Sequence, residues 1–137
     1  AIGESSKGIL VASGIKKVFL FPGGGANKGE TRTKFAVREL LEETGLKGYE
    51  TKYLFIYIGK VRKDYRGGHF QDYHTVILVK TRGTPRPRDE VKYIDWYKPG
   101  SNIRISHTTR ETIEKYYEYK KKREPGLLNL LKRLIDR

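Results

Sequence analysis

At 137 residues the chain is long enough for one domain with a core of its own, needing no disulfide or structural metal to hold it. Its 29 lysines and arginines against 16 acids leave a formal charge of +13, which favours anionic partners such as nucleotides, polyphosphates, RNA or anionic lipid. Cysteine is absent, which excludes disulfides and thiolate metal sites, and no apolar run approaches the roughly 20 residues that span a bilayer. A cytoplasmic protein without membrane association is expected. Residues 1 to 14 carry no signal-peptide pattern, and the absence of an initial methionine suggests a processed start.

Lys7 to Ala12 (KGILVA) and Lys16 to Phe21 (KKVFLF) are short β-branched and aromatic runs around Ser13-Gly14, which predicts two strands and a turn. Pro22 and the glycines from Gly23 to Gly25 end the second. Thr31 is the predicted N-cap of a helix that puts Ala36, Val37, Leu40 and Leu41 opposite its acids, with Gly45 just past its end. Residues 52 to 61 (KYLFIYIGKV) and 73 to 80 (YHTVILVK) read as long strands joined by a polar loop, RKDYRGGHFQD. A further strand is predicted at Val91 to Tyr97. Ser106-His107-Thr108-Thr109 looks like the capped start of a helix through Tyr119, and Glu124-Pro125-Gly126 predicts a break before a last amphipathic helix. There Leu127, Leu128, Leu130, Leu131, Leu134 and Ile135 would cover the domain or a second copy. Strands mixed with flanking helices argue for an α/β domain.

The predicted helix collects Glu39, Glu42 and Glu43 within about 100° of arc. Like charges at such spacings repel by a few tenths of a kcal/mol per pair, so the cluster calls for something to neutralise it. A divalent cation is the obvious candidate.

Gly24, Glu30, Arg38, Glu39, Leu40, Glu42, Glu43, Gly45 and Leu46 fill a nine-position pattern without a gap. It runs Gly, five residues, Glu, seven residues, then Arg-Glu-apolar-x-Glu-Glu-x-Gly-apolar. The pattern resembles the signature of the Nudix hydrolases, MutT-like enzymes. The resemblance implies an αβα sandwich, a mixed β-sheet flanked by helices. It would be a single domain over residues 1–137 with the signature at 24–46 and C-terminal helices at about 107–137. It also implies hydrolysis of a diphosphate linkage in a nucleotide by water, with Mg²⁺ or Mn²⁺ as cofactor. By matched position, Glu42 and Glu43 are the main metal ligands, Glu39 a metal ligand or general base, and the Gly23 carbonyl a further ligand. Arg38 would orient the glutamates, and Glu30 would support the same network. Family members often add an acid from a later loop. Asp89 and Glu90 are the candidates, with Glu90 preferred for its distance from Trp96.

Selectivity must come from elsewhere. Arg62, Lys63, Tyr65 and Arg66 combine cations with a ring, as a pocket for phosphate and base requires. His69, Phe70 and Tyr73 continue that loop, while His74 opens an apolar strand and reads as structural. The proline that marks some ADP-ribose-cleaving subfamilies, about sixteen residues past the signature, is replaced here by Val61 and Arg62, and Tyr65 only approaches the tyrosine of the dinucleoside polyphosphate group. The substrate therefore stays open between a nucleoside triphosphate, oxidised or not, and a dinucleoside polyphosphate. The alternatives are a diphosphoinositol polyphosphate phosphohydrolase and a non-catalytic module binding RNA or nucleotide, with the run Lys120 to Arg123 as an RNA contact. The oligomeric state is not legible.

Overall fold

The structure, a computed structural model, describes residues 1–23 and 26–135, with side chains to residue 122. Gly24 and Gly25, the RNA-contact expectation at Arg123, and the apolar side chains of the terminal segment lie outside the described residues. Two compact units are seen, Ala1–Ser106 and His107–Arg137.

The first unit holds strands β1 (Glu4–Ser5), β2 (Gly8–Ser13), β3 (Lys47–Ile58), β4 (Arg62–Lys63), β5 (His69–Phe70), β6 (Tyr73–Arg82) and β7 (Tyr93–Tyr97), with helix α1 (Arg32–Thr44) between β2 and β3. Strand β2 is buried along its whole length, as its continuous apolar run requires, and pairs antiparallel with β1 and β7. Strands β3 and β6 form a second antiparallel pair in which Tyr53 faces Ile77 and Thr51 faces Val79. The ladders are thus antiparallel, and parallel pairing occurs as the bridges Ile2–Leu78 and Phe19–Ile105. Helix α1 packs Ala36 and Leu40 into a core with Leu10, Leu46, Ile77 and Val79, against which Val37, Ile94 and Trp96 also lie. Gly48 allows the close approach: a Cβ there would stand 2.7 Å from Val79 Cγ1 and 3.2 Å from Val37 Cγ2.

Three segments differ from the sequence expectation. Lys16 to Phe21 forms no ladder, because its backbone serves two partners in turn. Leu20 exchanges hydrogen bonds with Ala12, and Phe19 with Arg104 and Ser106. The polar loop after β3 contains the β4–β5 hairpin, closed by Asp64 N–H donating to the Gly68 carbonyl at 2.8 Å. Leu41 is exposed and Glu39 and Thr44 are buried, so the dry stripe of α1 is rotated toward Ala36, Leu40 and Thr44.

The second unit is helix α2 (His107–Ile135), assigned as one element through residues 124–126 rather than broken there. A proline inside a helix forfeits a backbone hydrogen bond and costs about 3 kcal/mol, which a long helix can carry. Near its start His107 Nε2 lies 2.6 Å from Glu111 Oε1, and the Thr112 hydroxyl donates to the Thr108 carbonyl at 2.8 Å.

Candidate active site

Both ends of α1 are fixed by the residues the sequence marked. The Thr31 hydroxyl accepts from Lys34 N–H at 3.3 Å. Gly45 takes the left-handed conformation, φ 75°, that residues with a Cβ resist, and its N–H returns to the Leu41 carbonyl at 2.8 Å. Between these caps the helix carries the acids in one rigid frame.

Arg38 is the hub of that frame. Its Nε and Nη2 grip both oxygens of Glu30 at 2.7 and 2.9 Å, while Nη1 donates to Glu39 Oε1 and Glu42 Oε2, each at 3.0 Å. Glu30 also accepts from Asn27 N–H at 3.0 Å. The guanidinium bonds hold the Glu30 carboxyl down at about 2, and the same carboxylates raise the already high pKa of Arg38. One positive charge thus serves three carboxylates, and one of them, Glu39, is only 8% exposed.

Glu43 stands outside this grip. Its Oε2 accepts from Gly23 N–H at 3.0 Å, so the glycine entry meets the acidic face through its N–H. Burial pushes the Glu43 carboxyl up to about 7; the Gly23 hydrogen bond opposes the rise, and the Glu39 and Asp89 carboxylates add to it. Of the two later acids, Asp89 is therefore the one within the field of Glu43. Among the described residues no hydrogen bond or ion pair joins Glu90 to the α1 carboxylates. The loop before β7 reaches the end of α1 through Arg86 N–H to the Thr44 carbonyl at 2.8 Å and Arg88 N–H to the Glu43 carbonyl at 3.0 Å. Asp89 itself sits at φ 53°. No helix or strand period announces such a docking.

The donor set suits a hard divalent cation. Among the described residues Glu39 Oε2, Glu42 Oε1 and Glu43 Oε1 accept no protein hydrogen bond, and the net charge of the cluster is negative. No three acids or histidines converge on one point among the described residues. Arg38 draws Glu39 and Glu42 toward itself, while Gly23 holds Glu43.

The expected selectivity residues lie on the β4–β5 hairpin. Asp64 Oδ1 accepts from Arg66 N–H at 2.9 Å and Gly68 N–H at 2.8 Å, which stiffens the turn. Arg62 pairs with Asp72 at 3.3 Å, and Arg66 lies over the Tyr65 ring, 5.3 Å from its centroid, with Nε donating to the Tyr65 hydroxyl at 3.1 Å. Tyr65 is 91% exposed. No hydrogen bond or ion pair joins the hairpin to the carboxylates among the described residues. A groove of about 390 Å³ beside α1 is lined by Thr33, Lys34, Val37, Arg38, Leu41 and Thr51.

The sequence model of the NUDIX domain matches residues 4–118, most of the chain. The chain belongs to the Nudix family. It has the α/β Nudix fold and is a hydrolase of that family. A Nudix hydrolase family member from Chromobacterium violaceum aligns over 98% of this chain and 90% of its own, with a TM-score of 0.69 and 27% identity. A MutT Nudix hydrolase from Burkholderia pseudomallei covers 82% of this chain and 92% of its own, with a TM-score of 0.64 and 20% identity. The Nudix domain of Shewanella oneidensis NrtR, complexed with ADP ribose, covers 85% and 81%, with a TM-score of 0.58 and 14% identity. These last two likenesses are of fold. No curated protein gives a significant match. No helix among the described residues of this Nudix hydrolase is long and apolar enough to cross a membrane.

Proposed function

We propose that this Nudix hydrolase is a divalent-metal-dependent pyrophosphohydrolase that cleaves a diphosphate linkage in a nucleotide by attack of water at phosphorus. The observation that carries it is the acid cluster at α1, in which one guanidinium answers Glu30, Glu39 and Glu42, and Glu43 has only the field of the buried Ala1 ammonium. Glu39, Glu42 and Glu43, with the Gly23 carbonyl, would hold Mg²⁺ or Mn²⁺. When bound, such an ion neutralises charge on the diphosphate oxygens and lowers the pKa of a coordinated water. Arg38 and Glu30 keep Glu39 and Glu42 oriented. Glu39, buried on α1, would act as a metal ligand or, alternatively, accept the proton of the attacking water. For the later acid the candidates are Glu90 and its neighbour Asp89, and the bond from Arg88 N–H to the Glu43 carbonyl favours Asp89.

The substrate is a nucleoside triphosphate, oxidised or not, or a dinucleoside polyphosphate, with Arg62, Lys63, Tyr65 and Arg66 meeting the phosphates and base remote from the scissile bond. A neighbour of the same fold complexed with ADP ribose supports a nucleotide ligand. The hairpin's exposed cations keep a second substrate class in view, the diphosphoinositol polyphosphates. A cytoplasmic setting, where such compounds are made and used, goes with the proposal. The test is a panel of nucleoside triphosphates, dinucleoside polyphosphates, ADP-ribose and diphosphoinositol polyphosphates incubated with Mg²⁺, with products identified by mass. Turnover of one nucleotide class, abolished by EDTA, is expected. Full activity in EDTA, or none on any member of the panel, would sink the proposal.

A further inference from the structure

Helix α1 has no basic residue in its last turn, so its C-terminal carbonyls lack the cation that usually favours that end. Arg88 supplies it from another part of the chain. Its Nη1 donates to the Leu41 carbonyl at 3.5 Å, its N–H to the Glu43 carbonyl at 3.0 Å, and its guanidinium covers Gly45, where a Cβ would stand 3.3 Å from Nε. The Arg88 carbonyl in turn accepts from Val91 N–H at 3.0 Å, closing a turn around Asp89. Asp89 is held there in the left-handed region, one residue past the contact to Glu43.

We propose that Arg88 is a positioning residue: by clamping the loop before β7 to the last turn of α1, it sets how the segment carrying Asp89 lies against the turn carrying Glu43 and so the affinity of the site for a divalent cation. The clamp uses both the backbone and the guanidinium of one residue, and the acid it carries is the next in sequence. Neither a helix cap alone nor a surface charge alone requires that combination. The proposal rests on the metal site inferred above.

The test measures Mn²⁺ binding to the full chain by the paramagnetic resonance signal of the free ion, together with kcat and KM in Mg²⁺. Arg88→Ala is expected to weaken Mn²⁺ binding and lower kcat, each by about tenfold, as loss of a group supporting metal ligands does, with KM nearly unchanged. Arg88→Lys, which keeps a charged donor for the Leu41 carbonyl, should recover most of both. Arg86→Ala removes an equal charge from the same loop but leaves the backbone bond to Thr44, and should behave as wild type. If alanine does not fold, Arg88→Gln, which keeps bulk and a donor but not the charge, is expected to shift both quantities in the same direction. An Arg88 variant that melts earlier yet binds Mn²⁺ and turns over like wild type overturns the proposal and leaves a helix cap. Absence of Mn²⁺ binding in the wild type overturns the metal site itself, and the positioning role with it.

Discussion

Helix α1 and the β4–β5 hairpin carry the two halves of the expected chemistry, and they are built in opposite ways. On α1 the acids are joined to one another through Arg38, tied to the Gly23 entry and capped at both ends. On the hairpin the cations are exposed and engaged with close neighbours, Arg62 with Asp72 and Arg66 with Tyr65. Chemistry that every substrate shares demands fixed distances, which a helix provides. Selection among substrates demands reach and variety, which an exposed hairpin provides. Substitutions on α1 should therefore alter turnover, and those on the hairpin should alter KM.

The largest expected effect is on α1. Glu42→Gln and Glu43→Gln should each lower turnover by at least about a hundredfold, since supporting groups alone are worth 10–100-fold. Their stabilities should separate. Glu43→Gln removes a half-buried carboxylate under repulsion and should melt at the same or a higher temperature in EDTA. Glu42→Gln also loses its bond to Arg38 and gains less. Near-normal turnover by either variant would dissolve the contrast between the two regions.

Arg38 tests whether the frame itself matters. Arg38→Ala leaves Glu30, Glu39 and Glu42 without their shared cation and should lower both the melting temperature and, by about tenfold, kcat. Arg38→Lys should not restore kcat, because an ammonium cannot span the fork between Glu30 and the two helix acids. A full rescue by lysine in steady-state assays would reduce the frame to simple charge balance.

The same contrast explains what was legible in the sequence. Thr31, Gly45 and the acid spacing are local, and the helix they predict is present. The burial of Glu39 and the rotated dry stripe were not legible, because they depend on which neighbours surround α1. Strand β3 begins at Lys47 rather than near residue 52, since as the outer strand of its pair it accepts polar residues that hide its start. Lys16 to Phe21 has strand composition but divides its bonds between partners distant in sequence. The hairpin was hidden in a polar loop although Asp64 and the Gly67-Gly68 pair gave a turn signal. The preference for Glu90 over Asp89 rested on counting residues, and the bond from Arg88 to Leu41, 47 residues away in sequence, was not legible from such a count.

On the hairpin the expected effect is smaller and falls on KM. A guanidinium–phosphate contact in a dry pocket is worth about 1.5–3 kcal/mol. Exposed arginines already paired with neighbours should fall at or below the lower end, a rise in KM of about tenfold for Arg66→Ala and about fivefold for Arg62→Ala on a polyphosphorylated substrate. The rise should be smaller on a substrate with a single diphosphate, with kcat unchanged on both. Steady-state kinetics at two salt concentrations checks this. Equal effects on both substrates that vanish with salt would leave the hairpin as a source of general attraction only.

The smallest effect is thermal and separates the regions by pH. A carboxyl whose pKa rises from an ordinary 4.5 to about 7 on folding, as at Glu43, contributes stability that is complete below pH 4.5 and lost as pH rises through 7. Glu30 works the other way: its contribution is present above pH 4.5 and lost as pH falls through about 2, so it adds no slope near neutrality. Between pH 5 and 8 Glu43 lowers the melting temperature of the EDTA-treated protein, while the Ala1 ammonium, whose pKa burial lowers from 8.0 to about 6, opposes this by adding stability as pH rises from 6 to 8. Glu43→Gln should remove the falling contribution and leave the melting temperature flat or rising with pH, whereas Arg66→Ala should keep the wild-type trend. A divalent cation binds the ionised carboxylate and stabilises the folded state by mass action, so with Mg²⁺ the trend should weaken or reverse. Differential scanning fluorimetry over that range, with and without the ion, reads both signs. An unchanged slope in Glu43→Gln would move the uncompensated charge of the site away from Glu43, and with it the reason for expecting a cation there.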